Sequence, residues 1–437
     1  MNTGLIEKAL LAILLVILGG IVLHAPLTVY FGSLLPDFEL IIKAWKEILM
    51  IPAAVLTVLL VYRSKLWPEL VRDKLLWLMA GYVVLHFITL LIFWQGWPAT
   101  LAGLAIDLRF IAYFVLVYVL IKSRPDWRRW FMKVAVAGAV IVVGFGFLQL
   151  FLPHDVLKHI GYDKYETIAP YLTVDRNYDF IRINSTLRGP NPLGAYVVIV
   201  LAAVAAAMTA GRLRLGDRRV AAATILFTLA STAVLWVSYS RSALVAAVMA
   251  VALVGLIVYG RRVNRYVWVG IVALGLMTIG GLYVARDTNL VSHVILHEDP
   301  NEGNDVNSND GHVESLVIGL ERMAEQPLGA GVGSTGSASL LGDSPIIIEN
   351  HYLFIAHEIG WLGLILFMAI FSLVLWRLWC VRRDWLATTL LASGVGLAAI
   401  GILLPVWVDD TVAIVWWGLA AMVLASNNRR DDERSTN

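Results

Sequence analysis

The sequence predicts an all-α protein that crosses a membrane many times. Hydrophobic residues make up 59% of its 437 residues and charged residues only 15%, where a soluble domain is nearer half apolar and a quarter charged. Mean hydropathy is +0.76, and apolar runs of spanning length recur along the whole chain. Twelve helices of roughly 20 residues would use about 240 residues. That leaves room for loops and none for a large soluble domain. A water-soluble globular protein and a disordered one are both excluded. The net charge of +2 gives no basis for nucleic-acid binding. The single cysteine, Cys380, forms no intrachain disulfide.

In order, the expected spans are 8–24, 41–62, 74–94, 99–121, 131–152, 192–210, 220–239, 241–260, 266–285, 351–376, 386–404 and 406–425. They must be helices, because lipid cannot satisfy open backbone groups and closed barrels read as short alternating strands. No small-residue cleavage site follows the first run, so it reads as an anchor rather than a signal peptide. The second carries Lys43, Lys46 and Glu47, and the last two are divided only by Pro405 and Asp409–Asp410. Asp107 and Arg109 in the fourth span are expected to form a structural pair inside the bundle.

Orientation follows from the positive charges. Alternate connections are basic: Arg63/Lys65/Arg72/Lys74, Lys122/Arg124/Arg128/Arg129/Lys133, Arg212/Arg214/Arg218/Arg219, Arg261/Arg262/Arg265 and Arg377/Arg382/Arg383. Lys8 and the tail residues Arg429, Arg430 and Arg434 belong to the same side. Both termini are therefore expected in the cytoplasm. The chain divides into five membrane helices over 1–152, an outer loop over 153–191, four helices over 192–285, a large outer loop over 286–350, three helices over 351–425 and a cytoplasmic tail over 426–437. Loops as long as these two, without evident structure, are functional or disordered. The larger is acidic at first, then contains an amphipathic helix over 312–325 and a glycine-rich stretch, LGAGVGSTG.

The outer loops hold few basic residues. Arg182 and Arg188 lie in DFIRINSTLRGPNPLGAY, and Arg241 in SYSRSALVA. One reading is that these side chains snorkel to phosphates of membrane lipid. The other is that they converge on an anionic ligand, since guanidinium matches phosphate oxygens two at a time. Arg241 is the strongest candidate, because a charge at the end of a bundle helix is costly and tends to be functional. Arg188 precedes Gly189-Pro190-Asn191-Pro192, a rigid turn into a helix whose free N–H groups favour anions. His351, His357 and His312 are each a core histidine or a general base. His293 and His297 have metal-ligand spacing without a clear third ligand, so no metal site is expected. Gly331-Val-Gly333-Ser-Thr-Gly336 fits G-x-G-x-x-G, but no strand–helix–strand unit surrounds it. A phosphate nest there stays open, and a tight turn under the loop helix is favoured. No Asp-x-Asp nucleotide-sugar motif stands out in a cytoplasmic loop.

Taken together, RINSTLRGPNPLGAY, SYSRSALVA, GHVESLVIGLERMAEQPLGAGVGSTG and ENHYLFIAHEIGWLGLILF resemble the O-antigen ligase and polymerase superfamily in order and spacing, over roughly 182–363. The resemblance implies a bacterial inner-membrane glycosyltransferase with a periplasmic active site. The donor would be a glycan on undecaprenyl pyrophosphate and the acceptor a sugar hydroxyl of lipid A-core. Transfer would invert the anomeric carbon without metal, nucleotide or other cofactor. The resemblance makes Arg188 and Arg241 pyrophosphate contacts, with Arg182 beside them, and His351 the base. Members often read His-Asn before Tyr-Leu. Here the order is Glu349-Asn350-His351-Tyr352, so Glu349 takes the histidine's usual place and is the alternative base. His312 is a third candidate, and because members often carry Arg there it also reads as a phosphate contact. An O-antigen ligase is the leading expectation. An O-antigen polymerase and a protein O-oligosaccharyltransferase are its rivals. A polytopic transporter, from a different class, would require internal repeats and broken helices, and no repeat is seen.

Overall fold

The computed structural model describes residues 2–174, 177–260 and 308–435, with residues 284 and 288. The long helices are α1 (Thr3–Gly20), α2 (His24–Leu34), α3 (Trp45–Arg63), α4 (Lys74–Ile92), α5 (Trp97–Ser123), α6 (Arg128–Leu148), α7 (Pro190–Thr209), α8 (Arg218–Val237), α9 (Arg241–Tyr259), α10 (Ser308–Glu325), α11 (His351–Cys380), α12 (Trp385–Ile400) and α13 (Asp410–Ser435). Among the described residues, ten helical stretches are long and apolar enough to cross a membrane, and the shorter α12 is also apolar. The protein is thus an all-α polytopic membrane protein. The ninth expected span, 266–285, lies outside the described residues except for residue 284, and His293 and His297 lie outside them too.

The first span runs further than the sequence suggested. A 3-10 turn at Ile21–Leu23 joins α1 to α2, and Pro26 falls in the first turn of α2, where its missing N–H costs no helical bond. The smaller outer loop has structure of its own. Strand β1 (Leu172–Val174) pairs antiparallel with β2 (Asn177–Arg182), in register Leu172↔Arg182 and Thr173↔Ile181.

Small residues let the helices approach closely, as packing in lipid requires. A Cβ on Gly418 of α13 would lie 2.4 Å from the Tyr113 ring of α5, and one on Gly396 of α12 would lie 2.8 Å from the Ala246 carbonyl oxygen of α9. Trp416 and Trp417 are fully buried, and Trp416 Nε1 donates to the Leu390 carbonyl at 3.1 Å.

α11 is broken. Gly360 has φ +73° and Ile359 is non-helical. Residues before the break are almost all buried, whereas Trp361 is 49% exposed. The part after the break, at 1.5 Å per residue, reaches about 30 Å and spans a bilayer by itself.

Several basic residues of the alternate connections act as clamps. Arg377 of α11 donates to Asp73 at 2.6 and 3.1 Å, and Tyr118 donates to the same carboxyl at 2.7 Å. Arg128 makes a two-bonded contact with Asp384 at 2.5 and 2.9 Å. Burial pushes both carboxyls up, but the arginine hydrogen bonds and charges more than offset it and hold them below the usual range. The sign follows: the stabilisation is present above the unfolded carboxylate value of about 3.9, and is lost as pH falls through the lowered value. Asp73→Asn should remove the acid-sensitive part of this clamp, which thermal melts of the purified protein at decreasing pH would show.

Candidate functional site

Three of the singled-out arginines come together at one end of α7 and α9. The first turns of these helices touch: a Cβ on Gly194 would lie 2.6 Å from Ala243 Cβ. Arg182, at the end of β2, donates from Nε to the Ser238 carbonyl at 2.9 Å and from Nη2 to Asn191 Oδ1 at 2.7 Å. It thus ties the hairpin to the end of α8 and the start of α7. Ser185 holds the same segment to α6, with its N–H on Gln149 Oε1 at 2.7 Å and its hydroxyl on the Val142 carbonyl at 2.6 Å. Arg188 is exposed in the turn before Pro190, and Arg241 is half-buried at the first residue of α9.

The second cluster lies at the head of α11. Asn350 caps the helix, its Oδ1 accepting from the N–H groups of Tyr352 and Leu353 at 2.9 and 3.0 Å. Its amide donates to the Ile402 carbonyl at 2.6 Å, and His351 N–H donates to the Gly401 carbonyl at 2.9 Å. The cap therefore seats the head of α11 on the turn after α12. His351 is 4% exposed. Its ring stacks at 6.3 Å on Phe354 and meets Phe367 edge-on at 5.2 Å, and neither ring nitrogen has a hydrogen-bond partner among the described residues. Glu349 is half-buried just ahead of the cap. The loop helix α10 runs parallel to this head. Ser315 Oγ accepts from Glu349 N–H at 2.8 Å, and the Met323 carbonyl accepts from Trp361 Nε1 at 2.7 Å. His312 is three residues before Ser315 on the backbone of α10.

Residues 401–409 bring the two clusters near each other. Their start holds the head of α11, and at their end Asp409 feels the charges of Arg188 and Arg109.

The glycine-rich stretch is a wedge between α5 and the break in α11. Gly331, Gly333 and Gly336 have φ of +112°, +84° and +64°. A Cβ on Gly333 would lie 2.2 Å from the Ala99 carbonyl oxygen, and one on Gly103 would lie 2.5 Å from Gly333 N. The nest is already filled: Glu358 Oε1 accepts from Gly333 N–H at 3.1 Å and from Thr335 N–H at 3.4 Å. The stretch is a tight turn around the chain's own carboxyl group, not a phosphate cradle. Gly333→Ala should destabilise the protein by about 1–2 kcal/mol from backbone strain alone, more with the Ala99 clash. A folded, wild-type-like melting profile would contradict this.

The expected Asp107–Arg109 pair does not form. Two residues apart on a helix point in nearly opposite directions. Arg109 Nη1 meets Asp410 at 2.9 Å and its Nε lies 3.8 Å from Glu47, with Lys46 and His24 on the same Asp410 at 2.8 and 3.1 Å. Asp107 faces the other way, towards His86 and Glu358. The sequence reading missed Glu358. Its signal was the Glu-x-Gly step, which places a carboxyl group at the helix break. Among the described residues, no group of three or more His, Cys, Asp or Glu side chains is arranged to hold a metal ion.

Residues 226–368 match a family model described as O-antigen ligase. That stretch is similar to an O-antigen ligase domain. This supports its place in the O-antigen ligase and polymerase superfamily. The ligase-type match takes in Arg241, α10, the glycine wedge and the head of α11, and leaves Arg182 and Arg188 outside. No curated protein matches the chain.

Proposed function

We propose that the protein is an O-antigen ligase, moving an O-polysaccharide from undecaprenyl pyrophosphate to a sugar hydroxyl of lipid A-core. The observation that supports this best is the gathering of Arg182, Arg188 and Arg241 at the starts of α7 and α9, linked through residues 401–409 to the head of α11. Leaving-group charge grows on the departing diphosphate, and arginines placed to meet that charge stabilise it. Arg188 and Arg241 take this role, with Arg182 positioning the turn beside them through Asn191 and Ser238. The acceptor hydroxyl needs an oriented base within about 3 Å. His351 is enclosed by aromatic rings, which favours Glu349 as that base, with Ser315 of α10 bonded to its N–H and position 312 three residues before Ser315. The alternation of basic connections supports a multi-pass inner-membrane placement, cytoplasmic termini and a periplasmic site. We also assign 1–152, 192–285 and 351–425 to the membrane helices, 153–191 and 286–350 to the periplasm, and 426–437 to the cytoplasm.

Transfer by purified protein tests the reading. Undecaprenyl-linked glycan supplied with lipid A-core should yield polysaccharide-capped lipid A-core. Extension of the donor glycan alone would make the protein a polymerase. In the same assay Glu349→Gln should lose about 10²-fold or more of the rate, and His351→Gln should lose less. The reverse order would return the base role to His351.

A further inference from the structure

The end of the bundle that holds Cys380 carries a basic patch unused in the reading above. Its frame is the Arg128–Asp384 clamp, which fixes the start of α6 beside the turn between α11 and α12. Around the clamp stand Arg129 and Lys133 of α6, with Arg382 and Arg383 of the turn. Arg129, Lys133 and Arg383 are exposed and Arg382 is half-buried. The Arg129 guanidinium and Lys133 Nζ lie 5.7 and 4.6 Å from the centre of the Trp130 ring, and the Arg382 guanidinium lies 4.3 Å from that of Trp379. Such rings hold cations without neutralising them. None of the four cations has a carboxylate at ion-pair distance among the described residues. Lys122 and Arg124, at the same end, pair with Glu69 and Glu7. Asp384 is engaged by Arg128, and Asp126 is the one other acidic residue within 124–133 and 377–385. The tail past Ser426 adds three arginines and three acidic residues over 429–434, so it leaves the balance unchanged.

The surface beside the patch is apolar. Lys133, Val136 and Val140 are spaced i, i+3 and i+7 and share one face of α6, and the two valines are 57% and 53% exposed. Trp130 and Trp379 are exposed as well, and indole rings settle at the level of lipid headgroups. Cations at the helix ends, rings at the boundary and an apolar lane along the helix match an amphiphile with a negative head better than a free ion. The first turn of α6 has no acidic residue, so its dipole adds to the attraction for an anion. We propose that this patch binds the phosphodiester headgroup of an anionic phospholipid, whose acyl chains lie along α6. Cations from two elements suit a head with two phosphodiesters, of the cardiolipin kind. A lipid so placed bridges α6 and the α11–α12 turn over the clamp.

Titration of the purified full chain with cardiolipin, read by native mass spectrometry, tests this without any glycan substrate, so its outcome is separate from that of the transfer reading. Cardiolipin should bind more tightly than phosphatidylethanolamine, whose head has no net charge, and excess inorganic phosphate should not displace it. Arg129→Gln/Lys133→Gln/Arg383→Gln should weaken cardiolipin binding by about 10-fold or more. Arg212→Gln/Arg214→Gln/Arg219→Gln removes the same charge from another exposed connection and should leave binding as in the wild type. If the first triple variant does not purify, Lys133→Gln/Arg383→Gln serves in its place. Equal binding of the two lipids, displacement by phosphate, or equal loss in the two sets of variants overturns the proposal.

Discussion

Arg188→Ala and Arg241→Ala should each lower glycan transfer by about 10²–10³-fold, the usual cost of removing a preorganised donor to developing charge. Membrane insertion and monodispersity should stay as in the wild type. Arg188 stands ahead of α7 and Arg241 is the first residue of α9. A helix start carries positive dipole charge, so a cation there costs roughly 0.3–1 kcal/mol. An anion between two such placements is favoured by both the guanidinium charges and the helix starts, and a diphosphate is such an anion. Arg188 is exposed, so its removal should change stability by no more than about 0.5 kcal/mol. Lysine in either place keeps the charge and loses the planar fork of donors, so Arg241→Lys should recover only part of the rate. Capped lipopolysaccharide at wild-type level in both alanine variants would remove the diphosphate clamp from the mechanism.

The largest stability effect is expected at Asp410. This one carboxylate receives Arg109 at 2.9 Å, Lys46 at 2.8 Å and His24 at 3.1 Å. Lys46 is only 3% exposed. Asp410→Ala leaves two buried cations with Glu47 as their remaining close carboxylate, 3.3 Å from Lys46 and 3.8 Å from Arg109. Breaking a buried pair from one side costs about 3–5 kcal/mol. The variant should therefore melt well below the wild type in detergent, with much of it lost on purification. The double variant Asp410→Ala/Lys46→Met should recover part of the loss, because the orphaned charge is then gone. Equal melting of Asp410→Ala and the wild type would mean that water or lipid already solvates this cluster.

Much of this fold was legible because lipid admits few solutions. Long apolar runs become helices, and the α12–α13 division at Pro405 followed from proline and two aspartates in sequence. The hairpin is not legible in the sequence: Leu172–Val174 and Asn177–Arg182 are short, and the second alternates only weakly. The site was legible as residue types and not as partnerships. Arg182 read as a ligand contact, whereas its bonds to Ser238 and Asn191 depend on where α7 and α8 end. The burial of His351 follows from Asn350 capping the helix, which turns the next side chain inward. That Glu358 fills the glycine nest depends on a helix break against a distant loop, and no local pattern encodes it. The Asp107–Arg109 error was avoidable, since helical spacing alone separates the two.

The central claim is that the arginine-bearing end of the bundle faces away from the cytoplasm. Cys380 provides a built-in reference, since it is exposed at the far end of α11 from His351. A membrane-impermeant maleimide, applied to intact cells with an opened outer membrane, should label Arg188→Cys in a Cys380→Ser background. Cys380 in the otherwise unchanged chain should react only after the inner membrane is breached. Labelling of Cys380 in intact cells with Arg188→Cys protected would contradict the account.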